Sequence, residues 1–282
     1  MTNLTSAVVD VDITALSSIV HRDDSRAMSS THTLFRREKI FTPAGDVAVI
    51  PIVSGNAWRG ILRRLGETLL APTLDYASEL APPAAHLLRN GGFLRKSTTE
   101  MTPEDERQLK SLIPLIGVFG GAANGRIMSG KLTVSKVIPV TADTLHLLPF
   151  PIHPGDNVPA SIHAVLGQES ISHGNDLPPL TNADDDAASP IRLDTETLIA
   201  GTRLAGQLRL HHLTPVEYAF AHDLIATFAN DGHLGGRTAA GHGRIRATIN
   251  THVTHGHSSD TDWRAETSAR RGDALAALNT LT

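Results

Sequence analysis

The sequence contains no cysteine. Disulfides, thiolate zinc sites and cysteine nucleophiles are thereby excluded, and His, Asp and Glu remain as the metal-ligating side chains. Aromatic residues make up only 4% of the chain, too few to expect a sheet face that stacks bases on rings. Long apolar runs are missing too: no stretch approaches the ~18 residues that a membrane span requires. The N-terminal MTNLTSAVVDVDITAL has no basic region ahead of an apolar one, so a cytoplasmic protein without membrane contact is expected. An excess of positive charge is also lacking. The net charge of −4 argues against indiscriminate adhesion to nucleic acid but leaves a single basic groove open.

What is present is enough apolar content, 40% of 282 residues, to bury a sizeable core as one elaborated domain spanning 1–282. Charge is segregated along it. From His21 to Arg64 eight cations (Arg22, Arg26, Arg36, Arg37, Lys39, Arg59, Arg63, Arg64) stand against four anions (Asp23, Asp24, Glu38, Asp46). The compensating acid includes NADDDAASP at 182–190, which reads as a solvated loop tip. The histidines, with His252, His255 and His257 near one another and His211 beside His212, match no recognised ligand spacing, so neither metal nor cofactor is expected. SGN is not the G-x-S-x-G elbow of a serine hydrolase.

Periodicity gives the element order. SAVVDVDITALSSIV (6–20) alternates, with Val9, Val11, Ile13 and Ala15 on one face and Asp10, Asp12 and Thr14 on the other, and predicts a half-buried strand. A polar excursion over 22–50 follows, in which LFRREKIF forms one arm of a hairpin turning at 43–46. Ser54 to Asn56 cap a helix from Ala57 to Leu70, ended by Pro72. Residues 72–125 read as a helical insertion, with a helix start at Thr102 where TPEDERQLKSL supplies a cap, a first-turn proline and three acids. KLTVSKVIPV (131–140) is a strand, 141–195 a long loop or projecting arm, and 196–210 another strand. A helix over 216–231, a last strand over 243–253 and a polar tail over 258–282, Ala-rich towards its end where a short terminal helix can form, complete the chain. Without insertions this is βαββαβ, an α+β fold of the ferredoxin-like kind that also underlies the RNA recognition motif. The fold alone does not specify function.

Two loops carry the chemistry. In PIVSGNAWRGILRR the Gly-Asn turn opens a helix whose first amides and positive dipole end suit a phosphate, and Arg59 and Arg63 share a face next to Arg64. GHLGGRTAAGHGRIR (232–246) is glycine-rich and basic, with Arg237, His242, Arg244 and Arg246, and lets the backbone approach a ligand closely without matching a P-loop or dinucleotide motif. Trp58 fits the buried side of its helix better than a base-stacking position.

Four motifs in order carry a resemblance: P-x-x-S-G-N-x-x-R-G-x-L-R-R (Pro51 to Arg64), F-G-G…G-R-I-x-x-G-K-L-x-V (Phe119 to Val134), A-G-T-x-L-x-G-x-L (Ala200 to Leu208) and G-G-R-T-x-x-G-x-G-R-I (Gly235 to Ile245). The chain resembles the RAMP superfamily of CRISPR effector proteins, and is most similar to the repeated backbone subunit of type IV complexes. The resemblance implies an RRM-like palm with finger and thumb insertions. Many copies would stack along a guide RNA beside large, small and guide-end-binding subunits. It also implies that Ser54, Gly55, Asn56 and Arg59 sit on the guide backbone and that Gly235, Gly236 and Arg237 line the same groove; the basic residues His21, Arg22, Arg36, Arg37, Arg63 and His242 complete the expected RNA-binding surface. One of the excursions 22–50 and 141–195 would be the thumb, with 141–195 preferred. Phosphate contacts would suffice, because pairing by the guide reads sequence.

Type III relatives place an aspartate after the first strand for metal-dependent RNA cleavage, and Asp23 and Asp24 occupy a comparable place in HRDDSR. The resemblance to type IV subunits implies no such activity. The expectation is therefore a non-catalytic RNA-binding subunit, with cleavage through Asp23 or Asp24 as the alternative.

Overall fold

The structure is a computed structural model that describes residues 4–23, 32–76, 80–94, 100–153, 156–173 and 191–281. Asp24 and the acidic 182–190 segment lie outside them. The alternation at the N-terminus becomes strand β1 (Thr5–Ala15), which buries Ala7, Val9, Val11, Ile13 and Ala15 and turns Asp10 and Asp12 to the other face, as a period of two requires. After β2 (His32–Thr33), β3 (Arg37–Phe41) and β4 (Val47–Pro51) pair as the expected hairpin. Helix α1 (Gly55–Leu74) begins where the Ser54 hydroxyl accepts the Ala57 amide at 3.3 Å.

Pro72 does not end α1. It sits exposed in the last turn, and the apolar stripe continues past it from Leu70 to Leu74, both buried. The lost amide of Pro72 is offset by that burial, and the helix stops at Asp75, whose backbone is left-handed. The insertion then supplies α2 (Pro82–Asn90), α3 (Pro103–Leu112) and α4 (Pro114–Phe119). Thr102 and Asp105 form the capping box of α3. A small hairpin, β5 (Gly121–Ala123) with β6 (Arg126–Met128), leads back to the palm.

Two expected strands are divided. The 131–140 strand is broken into β7 (Leu132–Val134) and β8 (Ile138–Pro139), because Val137 turns away to pair with Val53 ahead of α1. The 196–210 strand is in fact the end of one strand and the start of another. β9 (Leu166–His173) and β10 (Ile191–Leu198) pair as an arm that also takes β2, and a tight turn over 199–202 precedes β11 (Arg203–Leu213). Helix α5 (Pro215–Asp231) and strand β12 (Ile245–His255) follow.

The palm sheet runs β12-β1-β11-β7, with β8 also on β11, and every neighbouring pair is antiparallel. In βαββαβ numbering that is four-one-three-two, the ferredoxin-like order. One face is covered by α1 and α5, with Trp58 fully buried over Gly206 and 5.8 Å from the Phe228 ring. The other face is polar and already engaged: Arg203 binds Asp12 and Asp156, and Gln207 donates to Asp10 and to the Pro149 carbonyl.

The C-terminal segment is more than a polar tail. It forms α6 (Trp263–Ala269) and α7 (Arg271–Asn279). Trp263 is buried edge-on against Phe220, and its indole donates to Asp223 at 2.9 Å. Leu275, Leu278 and Leu281 join the same core.

Candidate nucleic-acid interface

The SGN turn is built by contacts from three directions. The Ser54 amide donates to His21 Nε2 at 3.2 Å, and the His21 carbonyl accepts the Arg36 amide at 2.7 Å. Gly55 lies against the β7–β8 break, where a Cβ would come within 2.8 Å of the Val134 carbonyl. Only glycine permits that approach. The start of α1, and with it the positive end of the helix dipole, is thereby fixed between His21 and the palm sheet.

The second loop reaches the same place. Gly236 donates to the Val20 carbonyl at 2.7 Å, and Gly235, at φ +85°, would put a Cβ 2.3 Å from that oxygen. Arg237 is left-handed at φ 55° and starts a single 3-10 turn over Thr238–Ala240. A cavity of about 440 Å³ opens between the loops, lined by His21, Arg22, Asn56, Arg64, Gly236 and Arg237 over Val20 and Ile61. A second, of about 540 Å³, is lined by Arg36, Ser54, Asn56, Arg59 and Lys136. Asn56 lines both, so one basic channel passes over the N-terminal end of α1.

Of the residues singled out in the sequence, His21, Arg22, Arg36, Ser54, Gly55, Asn56, Gly235, Gly236 and Arg237 line this channel, and Arg59 lines it in part. The Arg59 guanidinium also donates to the carbonyls of Leu132 and Phe119, both at 2.5 Å, and lies over the Phe119 ring. Burial lowers its pKa.

Three residues do not face the channel. Arg63 is buried, with its guanidinium donating to Leu88 (2.9 Å), Leu87 (2.7 Å) and Gly120 (3.0 Å) carbonyls. Leu87 and Leu88 lie in the last turn of α2, where the Leu87 carbonyl also accepts the Gly91 amide at 3.0 Å and the Leu88 carbonyl has no later helical amide to meet. A cation there also meets the negative dipole end. Burial, with the charge of Arg59 adding to it, pulls the Arg63 pKa down to about 10, so the group stays charged at neutral pH. Arg37 is paired with Glu196, which also accepts the Phe35 amide at 2.9 Å, and so joins β3 to β10. His242 is buried against the Ser18 hydroxyl at 3.0 Å, bracing the glycine loop from behind.

Two groups escaped the sequence reading or stood at its margin. Arg64 extends into the groove, and Gly60 one turn before it leaves room: a Cβ there would lie 3.4 Å from the Arg64 Nη1. Lys136, ion-paired with Glu38, arrives through the β7–β8 break, which no local pattern announced. Asp23 is buried, with its amide on the Leu34 carbonyl at 3.0 Å. No cluster of three or more His, Asp or Glu able to hold a metal occurs among the described residues.

Fold and groove together define an RRM-like palm protein whose basic channel lies on its loops, away from the sheet face. No family model matches the sequence, and no match is found among curated proteins. Among solved structures, a chain of one described as "Type IV-B CRISPR Complex" is 41% identical, covering 86% of this chain and 90% of that one, with a TM-score of 0.59. The chain belongs to the family of type IV CRISPR complex subunits.

Proposed function

We propose that this protein is a non-catalytic, RNA-binding backbone subunit, several copies of which lie along a guide RNA in a cytoplasmic type IV CRISPR complex with other effector subunits. The observation that carries this reading is the meeting of the SGN and GGR loops, about 180 residues apart, in one channel that gathers Arg22, Arg64 and Arg237 over a helix N-terminus. Backbone amides, a dipole and side-chain cations recognise phosphate without reading bases. The sheet face of an ordinary RNA recognition motif is here engaged by Pro149 and Asp156, which favours the loops as the RNA path. The β9–β10 arm, standing on its own small sheet, takes the part of the thumb.

The non-catalytic reading is supported by the burial of Asp23, which keeps its carboxylate from a solvent-borne metal and substrate. The direct test is Arg64→Glu with Arg237→Glu in protein co-expressed with its guide. RNA retained after purification should fall at least about tenfold, with a shallower dependence on salt. Undiminished retention at matched salt would remove this channel from consideration. No described helix is long and apolar enough to cross a membrane.

A further inference from the structure

The two cavities of the channel differ in their walls. The one of about 540 Å³ is polar, with Arg36, Arg59 and Lys136 facing the Ser54 cap and Val134 the one apolar side chain among its described residues. The one of about 440 Å³ has an apolar floor instead: Val20, Ala57 and Ile61 lie beneath the cations Arg22, Arg64 and Arg237. A phosphate gains nothing from such a floor, because it must leave water to rest there. A nucleobase does gain, since its face is apolar and stacks on flat surfaces, guanidinium planes included. The volume also falls in the range of about 300–1,000 Å³ that holds small ligands.

Gly60 points the same way. Helix α1 contains three glycines, and each weakens a helix relative to alanine. For two of them packing supplies the reason. A Cβ at Gly55 would come within 2.8 Å of the Val134 carbonyl, and one at Gly66 would lie 2.8 Å from Leu115 and 3.1 Å from the Phe220 ring. At Gly60 the only neighbour within 4 Å, apart from the helix backbone itself, is Arg64 Nη1 at 3.4 Å, the far end of a flexible side chain. The fold therefore does not require glycine at this position. Gly60 lines the 440 Å³ cavity, so its missing side chain leaves the helix backbone bare at the floor. Around that floor, the Asn56 side-chain amide and the Arg64 and Arg237 guanidiniums are exposed and carry no hydrogen bond or ion pair among the described residues.

We propose that the 440 Å³ cavity seats one nucleobase of the bound RNA, face down on α1 at Gly60 and Ile61 under the guanidinium of Arg64 or Arg237, while the adjoining phosphate lies at the helix start in the other cavity. The ribose then falls at Asn56, which lines both cavities. A base held by its faces is accepted whatever its identity, so the seat adds affinity without reading sequence. The inference rests on the RNA-binding reading above and assigns the parts of one nucleotide within that channel.

Gly60→Leu tests the seat, because leucine favours the helix, fills the floor and leaves every cation in place. Fluorescence anisotropy with the purified full-length protein compares a short single-stranded RNA with the same oligonucleotide built on stable abasic sugars. The wild type should bind the natural RNA at least about fivefold more tightly than the abasic one. Gly60→Leu should lose that preference through weaker binding of the natural RNA alone, with the salt dependence and melting temperature not reduced. Gly60→Gln, polar but of similar reach, should give the same pattern, so a folding defect peculiar to leucine leaves the test intact. Natural RNA bound as tightly by both variants as by the wild type overturns the base seat, and so does an equal loss for natural and abasic RNA. Variants that bind RNA normally but no longer assemble on it also overturn the seat and assign the cavity to a protein element. If Arg64→Glu/Arg237→Glu binds both oligonucleotides as the wild type does, the channel falls together with the seat.

Discussion

Arg63 and Arg64 are neighbours on α1, and the protein uses them in opposite ways. One residue along an α-helix rotates a side chain by about 100°, which here separates a buried seam from a solvent-filled groove. On the buried side, Arg63 meets the Leu87 and Leu88 carbonyls at the end of α2 and the Gly120 carbonyl. On the open side, Arg64 shares a cavity with Arg22 and Arg237. The difference teaches that a cluster of like charges on a helix is a statement about neither stability nor binding until its partners are known. Arg59 stands between the two, donating to internal carbonyls while lining the outer part of the channel.

The comparison is broken most forcefully at Arg63. Arg63→Ala removes the guanidinium from three buried carbonyls, of which only that of Leu87 keeps another donor among the described residues, and should cost about 3 kcal/mol, read from urea or thermal unfolding, with RNA affinity of the folded protein unchanged. Arg63→Lys should recover less than half of that, since one ammonium does not reproduce the planar fork. If Arg63→Ala instead weakens RNA binding with stability intact, the two faces have been assigned the wrong way round.

The mirror experiment comes next in size. Arg64→Glu/Arg237→Glu should lower affinity for single-stranded RNA by 10- to 100-fold, equivalent to about 1.4–2.8 kcal/mol, and shift stability by no more than ~0.5 kcal/mol. The salt slope should also fall by roughly one for each lost phosphate contact.

Ser54→Ala removes the cap of the helix that carries all three arginines. A loss of about 1 kcal/mol in denaturant is expected, and a modest fall in RNA affinity should accompany it, because the helix start itself lines the channel. The smallest effect is foreseen for Glu196→Gln. Its partner Arg37 is partly exposed, so less than ~1 kcal/mol should be lost, and RNA affinity should not change. A clear change in affinity would return Arg37 to the binding surface.

Much of the palm was legible because its elements carry local signals. The alternation of β1, the turn of the β3–β4 hairpin, the caps at Ser54 and Thr102 and the spacing in α5 each appear as the pattern indicates. The misreadings were tertiary in origin. Pro72 is tolerated because Leu74 still finds a core, and the last residues fold because Trp263 has Phe220 and Asp223 to meet. The turn over 199–202 divides a segment whose apolar pattern continues across it.

For the candidate site the division is similar. The Gly-Asn turn, the glycine loop and the arginine content were visible, since backbone freedom and charge are properties of residue type. Which arginine faces solvent, that His242 lies behind its loop, and that Lys136 joins the channel were not, because each depends on what a distant segment presents at that point.

The sequence by itself determined the βαββαβ order, the caps and the presence of two basic loops, because these follow from periodicity, φ preference and charge within a few residues. Only the tertiary structure decided that the two loops meet and that Arg63 is internal while Arg64 faces the channel. Those facts arise from packing between segments far apart in the chain, where the energy depends on partners that no local pattern can name.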